Sequence, residues 1–275
     1  MSPGAAADVD AAVTLEVDDP VAVVTLRRPA KLNAFTGPMA ARLQALVAEA
    51  VADPAVVGVV VTGEGRGFSA GLDSAALVEA ASAGVAGRPR EDDGPAGLFS
   101  SLLTQPKPII AAVNGVAAGG GFVLACKCDL RIASTEASFT TVFSKRGLSA
   151  EHGLPWLLPP LVGSANALDL LWSSRRIDAD EALRIGLVQR VVAPDELLPT
   201  CRAYVEQLAA EVSPASLADA KRLVYGHRGV AMREAFAEND RFTYDALERP
   251  DAGEGAAALV ERRAPSFARV GGGAS

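Results

Sequence analysis

Two short stretches of small residues constrain this chain most. Gly67-Phe68-Ser69-Ala70-Gly71-Leu72-Asp73 and Val113-Asn114-Gly115-Val116-Ala117-Ala118-Gly119-Gly120-Gly121 each follow an apolar run and precede a segment with helical patterning. A chain that passes from a buried strand into a helix through glycine and alanine lets a ligand approach its backbone closely. It also presents free N–H groups at a helix N-terminus, where the dipole favours negative charge. Each stretch has a plainer reading when taken alone. The first is also an ordinary strand-to-helix turn with Asp73 as its cap. The three glycines of the second cost backbone entropy, and either backbone exposure or close helix packing is a reason to accept that cost.

The flanking segments point to an α/β body. Residues 13–17 and 21–26 read as a hairpin around Asp18-Asp19-Pro20. Thr36 is placed to cap a helix running to Asp53, with Met39, Leu43, Leu46, Val47, Ala50 and Val51 on one face. Residues 56–61 form a β-branched run and predict a buried strand, and Gly63 to Gly67 a glycine-rich turn. Asp73 then starts a short helix. Residues 83–96, rich in Gly, Pro and charge, predict a mobile surface loop of the kind that acts as a lid. Strands are expected at 109–113 and 129–133, around a helix opened by Gly119-Gly120-Gly121. From Pro194 the pattern turns helical, with Leu197, Leu198, Cys201, Val205 and Leu208 as one apolar stripe and further helices at 216–225, 230–248 and 254–263. The expected division is a tail at 1–12, an α/β core at 13–193, a helical subdomain at 194–268 and a tail at 269–275.

Composition removes several function classes. Hydrophobic residues make up 49% of 275, so the chain can build a sizeable core, and a net charge of −7 argues against nucleic acid as the main partner. The acidic, small N-terminus is not a secretory signal, and no run of about 20 apolar residues is present to cross a bilayer. Cys126, Cys128 and Cys201 make neither a disulfide framework nor a metal site, since no second Cys/His cluster completes four ligands. They read as core thiols in a reducing compartment, so the expectation is a cytoplasmic protein without membrane or metal. Gly119-Gly120-Gly121 lacks the spacing of a dinucleotide fingerprint.

The order, spacing and flanks of the two turns resemble the crotonase superfamily, the enoyl-CoA hydratase/isomerase family. Further segments agree with it: Arg28-Pro29-Ala30-Lys31-Leu32-Asn33-Ala34, Phe143-Ser144-Lys145-Arg146-Gly147-Leu148, Leu157-Leu158-Pro159-Pro160-Leu161-Val162-Gly163, Ala179-Asp180-Glu181-Ala182 with Gly186-Leu187-Val188, and Glu254-Gly255-Ala256 with Glu261 to Pro265 and Phe267. The resemblance covers roughly residues 13–268. It implies a crotonase-like spiral of β-β-α units with a C-terminal helical subdomain, assembled as trimers that are often paired into hexamers. It implies an acyl-CoA ligand and no cofactor beyond that thioester. It also implies an oxyanion hole, mapped onto the amides of Ala70 and Gly120, with Arg28, Lys31, Asn33, Ala34, Ser69, Gly71, Leu72, Asp73, Gly119, Val123, Phe143 and Phe267 around the ligand.

The chain departs from that pattern where hydratases of the family carry two glutamates for adding water. The corresponding positions here are Val123 and Phe143, neither of which can transfer a proton. Glu151, four residues after Gly147, is the remaining candidate acid/base; its plainer reading is a cap, or an ion pair with Arg146. His152 beside it is a lesser candidate, and His227 reads as structural. The resemblance therefore implies isomerase- or hydrolase-type chemistry with one carboxylate or weak hydration, with a non-catalytic acyl-CoA binder as the alternative.

Overall fold

The computed structural model describes residues 9, 11–74, 76 and 98–269. The expected lid at 83–96 lies outside them. Among the described residues ten strands form two sheets. A six-stranded sheet contains β1 (Val13–Asp18), β2 (Val21–Leu26), β3 (Gly58–Gly63), β5 (Ile109–Val113), β7 (Leu130–Ser134) and β10 (Arg190–Val192), in that spatial order. A four-stranded sheet contains β4 (Gly67–Ser69), β6 (Val116–Ala118), β8 (Ser138–Thr140) and β9 (Ile177–Asp178). β1 and β2 pair antiparallel, as do β8 and β9; the other pairs are parallel. Each of the pairs β3/β4, β5/β6 and β7/β8 gives one strand to each sheet before the chain moves on. The protein is thus built of successive β-β-α units, as the resemblance implies.

The large sheet is covered on both faces, so its strands are continuous apolar runs. Side chains alternate across a strand. Val59 and Val61 of β3, with Ile109, Ala111 and Val113 of β5, enter the main core beneath helix α1 (Gly37–Ala52). Val60, Ile110, Ala112 and Ile132 face the other way and meet Leu197, Cys201 and Val205 of the helix Leu197–Glu211. The three cysteines are free and buried, and burial pushes the Cys126 and Cys128 thiols up to about 12. They are core thiols, as expected.

Several sequence-based boundaries shift. Thr36 is the N-cap of α1, but its side chain makes no capping bond. β3 starts at Gly58, because Val56 and Val57 are buried in the loop before it. β7 starts at Leu130 because Asp129 is spent outside the ladder, accepting from the Ile109 amide and from Lys221. Leu198 is 37% exposed and lies off the stripe, since one residue turns about 100° around a helix. The last three helices run Pro214–Gly226, Met232–Leu247 and Pro250–Glu261; Pro214 and Pro250 stand at first helical positions, ahead of the expected starts. Val9 and Ala12 pack against the main core. Among the described residues no helix is long and apolar enough to cross a membrane.

Candidate functional site

The two small-residue turns meet. β4 and β6 are neighbours in the small sheet, so the chain leaving each strand enters the same region. Helix α2 (Gly120–Lys127) begins there. Gly71 has φ +87, and a Cβ on it would stand 2.6 Å from the Ala118 carbonyl and 2.8 Å from the Gly120 nitrogen. Only glycine fits this approach. A Cβ on Gly121 would sit 2.0 Å from the Ser69 carbonyl, so close packing accounts for that glycine.

Hydrogen bonding decides which amides are free. The Ala70 N–H donates to the Leu32 carbonyl at 2.8 Å and is not open to a ligand. The Gly71 N–H donates to Ser69 Oγ, and the Asp73 N–H to the Phe35 carbonyl. Among the described residues nothing accepts from the N–H of Leu72 or from that of Gly120, the first residue of α2. The adjacent unpaired donors are therefore Leu72 and Gly120. The expectation for Ala70 is corrected by the bond it makes to a loop 38 residues earlier.

That loop is a positioning device. Asn33 is fully buried; its Nδ2 donates to the carbonyls of Glu64 and Gly67 at 2.9 and 2.6 Å, and its Oδ1 accepts from the Arg28 amide at 2.8 Å. Its carbonyl accepts from Ser69 Oγ. The Arg28 guanidinium reaches the Ala34 carbonyl at 2.8 Å and Asp73 at 3.1 Å. Arg28, Asn33, Ser69 and Asp73, expected around the ligand, are thus spent on each other and fix the Leu72 turn. Ala34 is buried, Lys31 is exposed at the end of the turn Pro29–Lys31, and Leu72 is half-buried.

Val123 and Phe143 are both buried in the main core. The Gly119 amide is held by the Thr140 carbonyl, leaving the next amide, that of Gly120, to head the helix. Phe35, whose ring lies against Gly120, was not singled out by the sequence. Phe267 lies elsewhere: it lines a separate cavity with Phe242 and Leu247, beside Gly255, and is not brought to the turns.

Glu151 is partly exposed and faces His152, with Oε2 3.5 Å from Nε2; Arg146 is not its partner. His152 Nδ1 accepts from the Leu98 amide at 3.3 Å. That bond assigns the neutral ring's proton to Nε2, toward Glu151. Burial lowers the His152 pKa, Glu151 opposes this, and Lys127 reinforces it. Among the described residues Glu151 makes no hydrogen bond or ion pair to the two turns. His152 also lines a cavity of about 620 Å3 between the turn Ser100–Thr104, the end of α2 and the helix Pro214–Gly226.

Comparison with known proteins agrees with this architecture. The chain is 35% identical over 260 residues to a probable enoyl-CoA hydratase of Mycobacterium bovis, covering 90% of this chain and 89% of that one. It is 32% identical over 257 residues to a short-chain-enoyl-CoA hydratase of Clostridium acetobutylicum, covering 91% and 95%. Among solved structures it resembles an enoyl-CoA hydratase of Mycobacterium tuberculosis H37Rv, with a TM-score of 0.84, 29% identity, and coverage of 94% and 99%. The family model for enoyl-CoA hydratase/isomerase matches residues 16–269. The chain belongs to the enoyl-CoA hydratase/isomerase family, within the crotonase superfamily.

Proposed function

We propose that this chain binds an acyl-CoA thioester with its carbonyl oxygen between the amides of Leu72 and Gly120. The observation that carries this reading is the pair of adjacent N–H groups without acceptors, one of them at the start of α2. An enolate formed from a thioester concentrates charge on one oxygen. Prepositioned donors stabilise that charge more than the neutral ground state, and one such donor is worth about 2.7–4 kcal/mol of barrier. Lys31, exposed on the loop that holds the Leu72 turn, is a cation suited to a CoA phosphate.

The reaction follows from what borders this pair. Val123 and Phe143 offer hydrocarbon where hydration needs two acid/base groups, each worth about 10²–10⁴-fold, so hydration of crotonyl-CoA is weak. Glu151, oriented by His152, is the one acid/base: it takes a proton from one carbon and returns it to another in an isomerase, or takes it from the attacking water and passes it to the departing thiolate in a hydrolase. A second reading, an acyl-CoA binder without turnover, draws on the placement of Glu151 toward His152 rather than toward the turns. Assays of the full chain with crotonyl-CoA, a 3-enoyl-CoA, a dienoyl-CoA and a saturated acyl-CoA separate them. Turnover of the second, third or fourth supports the enzyme. Tight binding of all without turnover supports the binder, and failure to bind any refutes both. No cofactor beyond the thioester enters this reading, and the compartment is the cytoplasm. The helices after residue 213 leave Met232, Phe236, Tyr244, Leu259 and Val260 each more than 60% exposed. Such a surface suits a homotrimer or a hexamer, which light scattering on a size-exclusion column tests.

A further inference from the structure

Among the described residues the protein encloses several cations, and they differ in what matches their charge. Arg131, 1% exposed, gives its guanidinium to the carbonyls of Leu187, Ala125 and Cys128 and to Gln189. Lys221 is paired with Asp129 at 2.7 Å and also bonds two carbonyls. Lys107 donates to the Asp53 carbonyl and is attracted by that residue's carboxylate. Lys127, the last residue of α2, is 3% exposed and has one polar contact, to the neutral hydroxyl of Ser100 at 2.6 Å. No carboxylate pairs with it among the described residues. An ammonium carries three donors, and a buried charge left unpaired is costly. Burial accordingly pulls the Lys127 pKa below the usual lysine range.

Lys127 and Ser100 line the cavity of about 620 Å3 that His152, Leu103 and Leu157 also border. Of the carboxylates beside its lining, Asp129 is occupied by Lys221 and by the Tyr225 hydroxyl, and Glu151 faces His152. The cavity is therefore apolar in its walls, positive in charge, and holds spare donors. It lies at the far end of the helix whose first amide is Gly120, seven residues or about 10 Å along the axis.

We propose that this cavity receives the far end of the acyl group and that Lys127 binds a carboxylate there, so that the preferred ligands are CoA thioesters of dicarboxylic acids. This inference rests on the reading of Leu72 and Gly120 as the thioester site. Lys127 acts here as a specificity residue; it takes no part in proton transfer. The cation is matched by a partner that arrives with the ligand, and a plain hydrocarbon terminus leaves it unmatched.

The test is calorimetric titration of the full chain with adipoyl-, suberoyl- and sebacoyl-CoA against hexanoyl-, octanoyl- and decanoyl-CoA. The expected result is a preference of at least tenfold for the carboxylate-ended member of one or more length-matched pairs. In Lys127→Met the preference disappears while the monocarboxylic thioester binds as well as before or better. Lys127→Gln provides the same comparison should the methionine variant not fold, as judged by circular dichroism. Equal binding of both series by the parent overturns the inference and leaves the thioester site standing. A preference that survives folded Lys127→Met or Lys127→Gln also overturns it. Failure of every thioester to bind refutes the thioester site, and this inference with it.

Discussion

Asn33→Asp separates a structural role from a ligand contact. The substitution keeps the size of the side chain, its tolerance of φ near +55 and an oxygen to accept from the Arg28 amide. It removes the two donors that now bond the carbonyls of Glu64 and Gly67 at 2.9 and 2.6 Å, in a fully buried place. The Gly67 carbonyl keeps a donor, Asn114 Nδ2 at 3.2 Å, whereas the Glu64 carbonyl is left without one, at a cost of about 1–3 kcal/mol. At about 2–4 °C per kcal/mol for a domain of this size class, the melting temperature falls by roughly 2–12 °C. Burial raises the pKa of a new carboxyl here, and its protonated form can donate to one carbonyl. A folded-state pKa above the unfolded value means that stability is lost as pH rises, so the deficit is larger at pH 7 than at pH 5. Scanning calorimetry at both pH values measures it. An unchanged melting temperature with weakened acyl-CoA binding would refute the structural role and return Asn33 to the ligand.

Three further outcomes follow from the geometry. Gly71→Ala sets a methyl within 3 Å of the Ala118 carbonyl and the Gly120 nitrogen, and its positive φ adds about 1–2 kcal/mol; turnover of the best substrate falls by about 10²–10³-fold if the two amides separate, and parental rates in a folded variant would contradict the pairing. Glu151→Gln abolishes isomerase or hydrolase turnover while acyl-CoA affinity stays within about tenfold; unchanged turnover removes Glu151 from the mechanism. The folded-state pKa of His152 is lowered, so the unfolded chain binds the extra proton first and stability falls as pH drops below about 6.5; urea titrations from pH 7 to pH 5 lose less stability in His152→Gln than in the parent, and equal losses would show that His152 is not responsible.

The sequence carried the architecture because the architecture is local. The run 109–113 is a strand with the expected bounds, and the burial of Met39, Leu43, Leu46, Val47, Ala50 and Val51 follows from helical period alone. The meeting of the two turns was implied by the resemblance, since the composition of each alone left a plainer reading. Which amide stayed free was not, since that depends on the Leu32 carbonyl taking the Ala70 N–H across a long-range contact. The Arg28–Asn33 knot was hidden for the same reason: polar residues beside an expected ligand look like contacts until their partners are seen. Buried Lys127 and Arg131 were missed because lysine and arginine are seldom buried, and only the enclosing structure reveals the exception. Phe267 matched a family segment in sequence, yet in the single chain it sits in another cavity.

The account turns on the place of the thioester oxygen, and a crystal structure of the protein with a non-reactive ketone analogue of an acyl-CoA, alongside one with the thioester itself under conditions of slow turnover, locates it most directly. The expected result is a carbonyl oxygen about 2.7–3.1 Å from both the Leu72 and the Gly120 nitrogens, with the Ala70 amide still bonded to Leu32. A carbonyl oxygen bound to Ala70, with the Leu32 bond broken and Leu72 turned away, would contradict it.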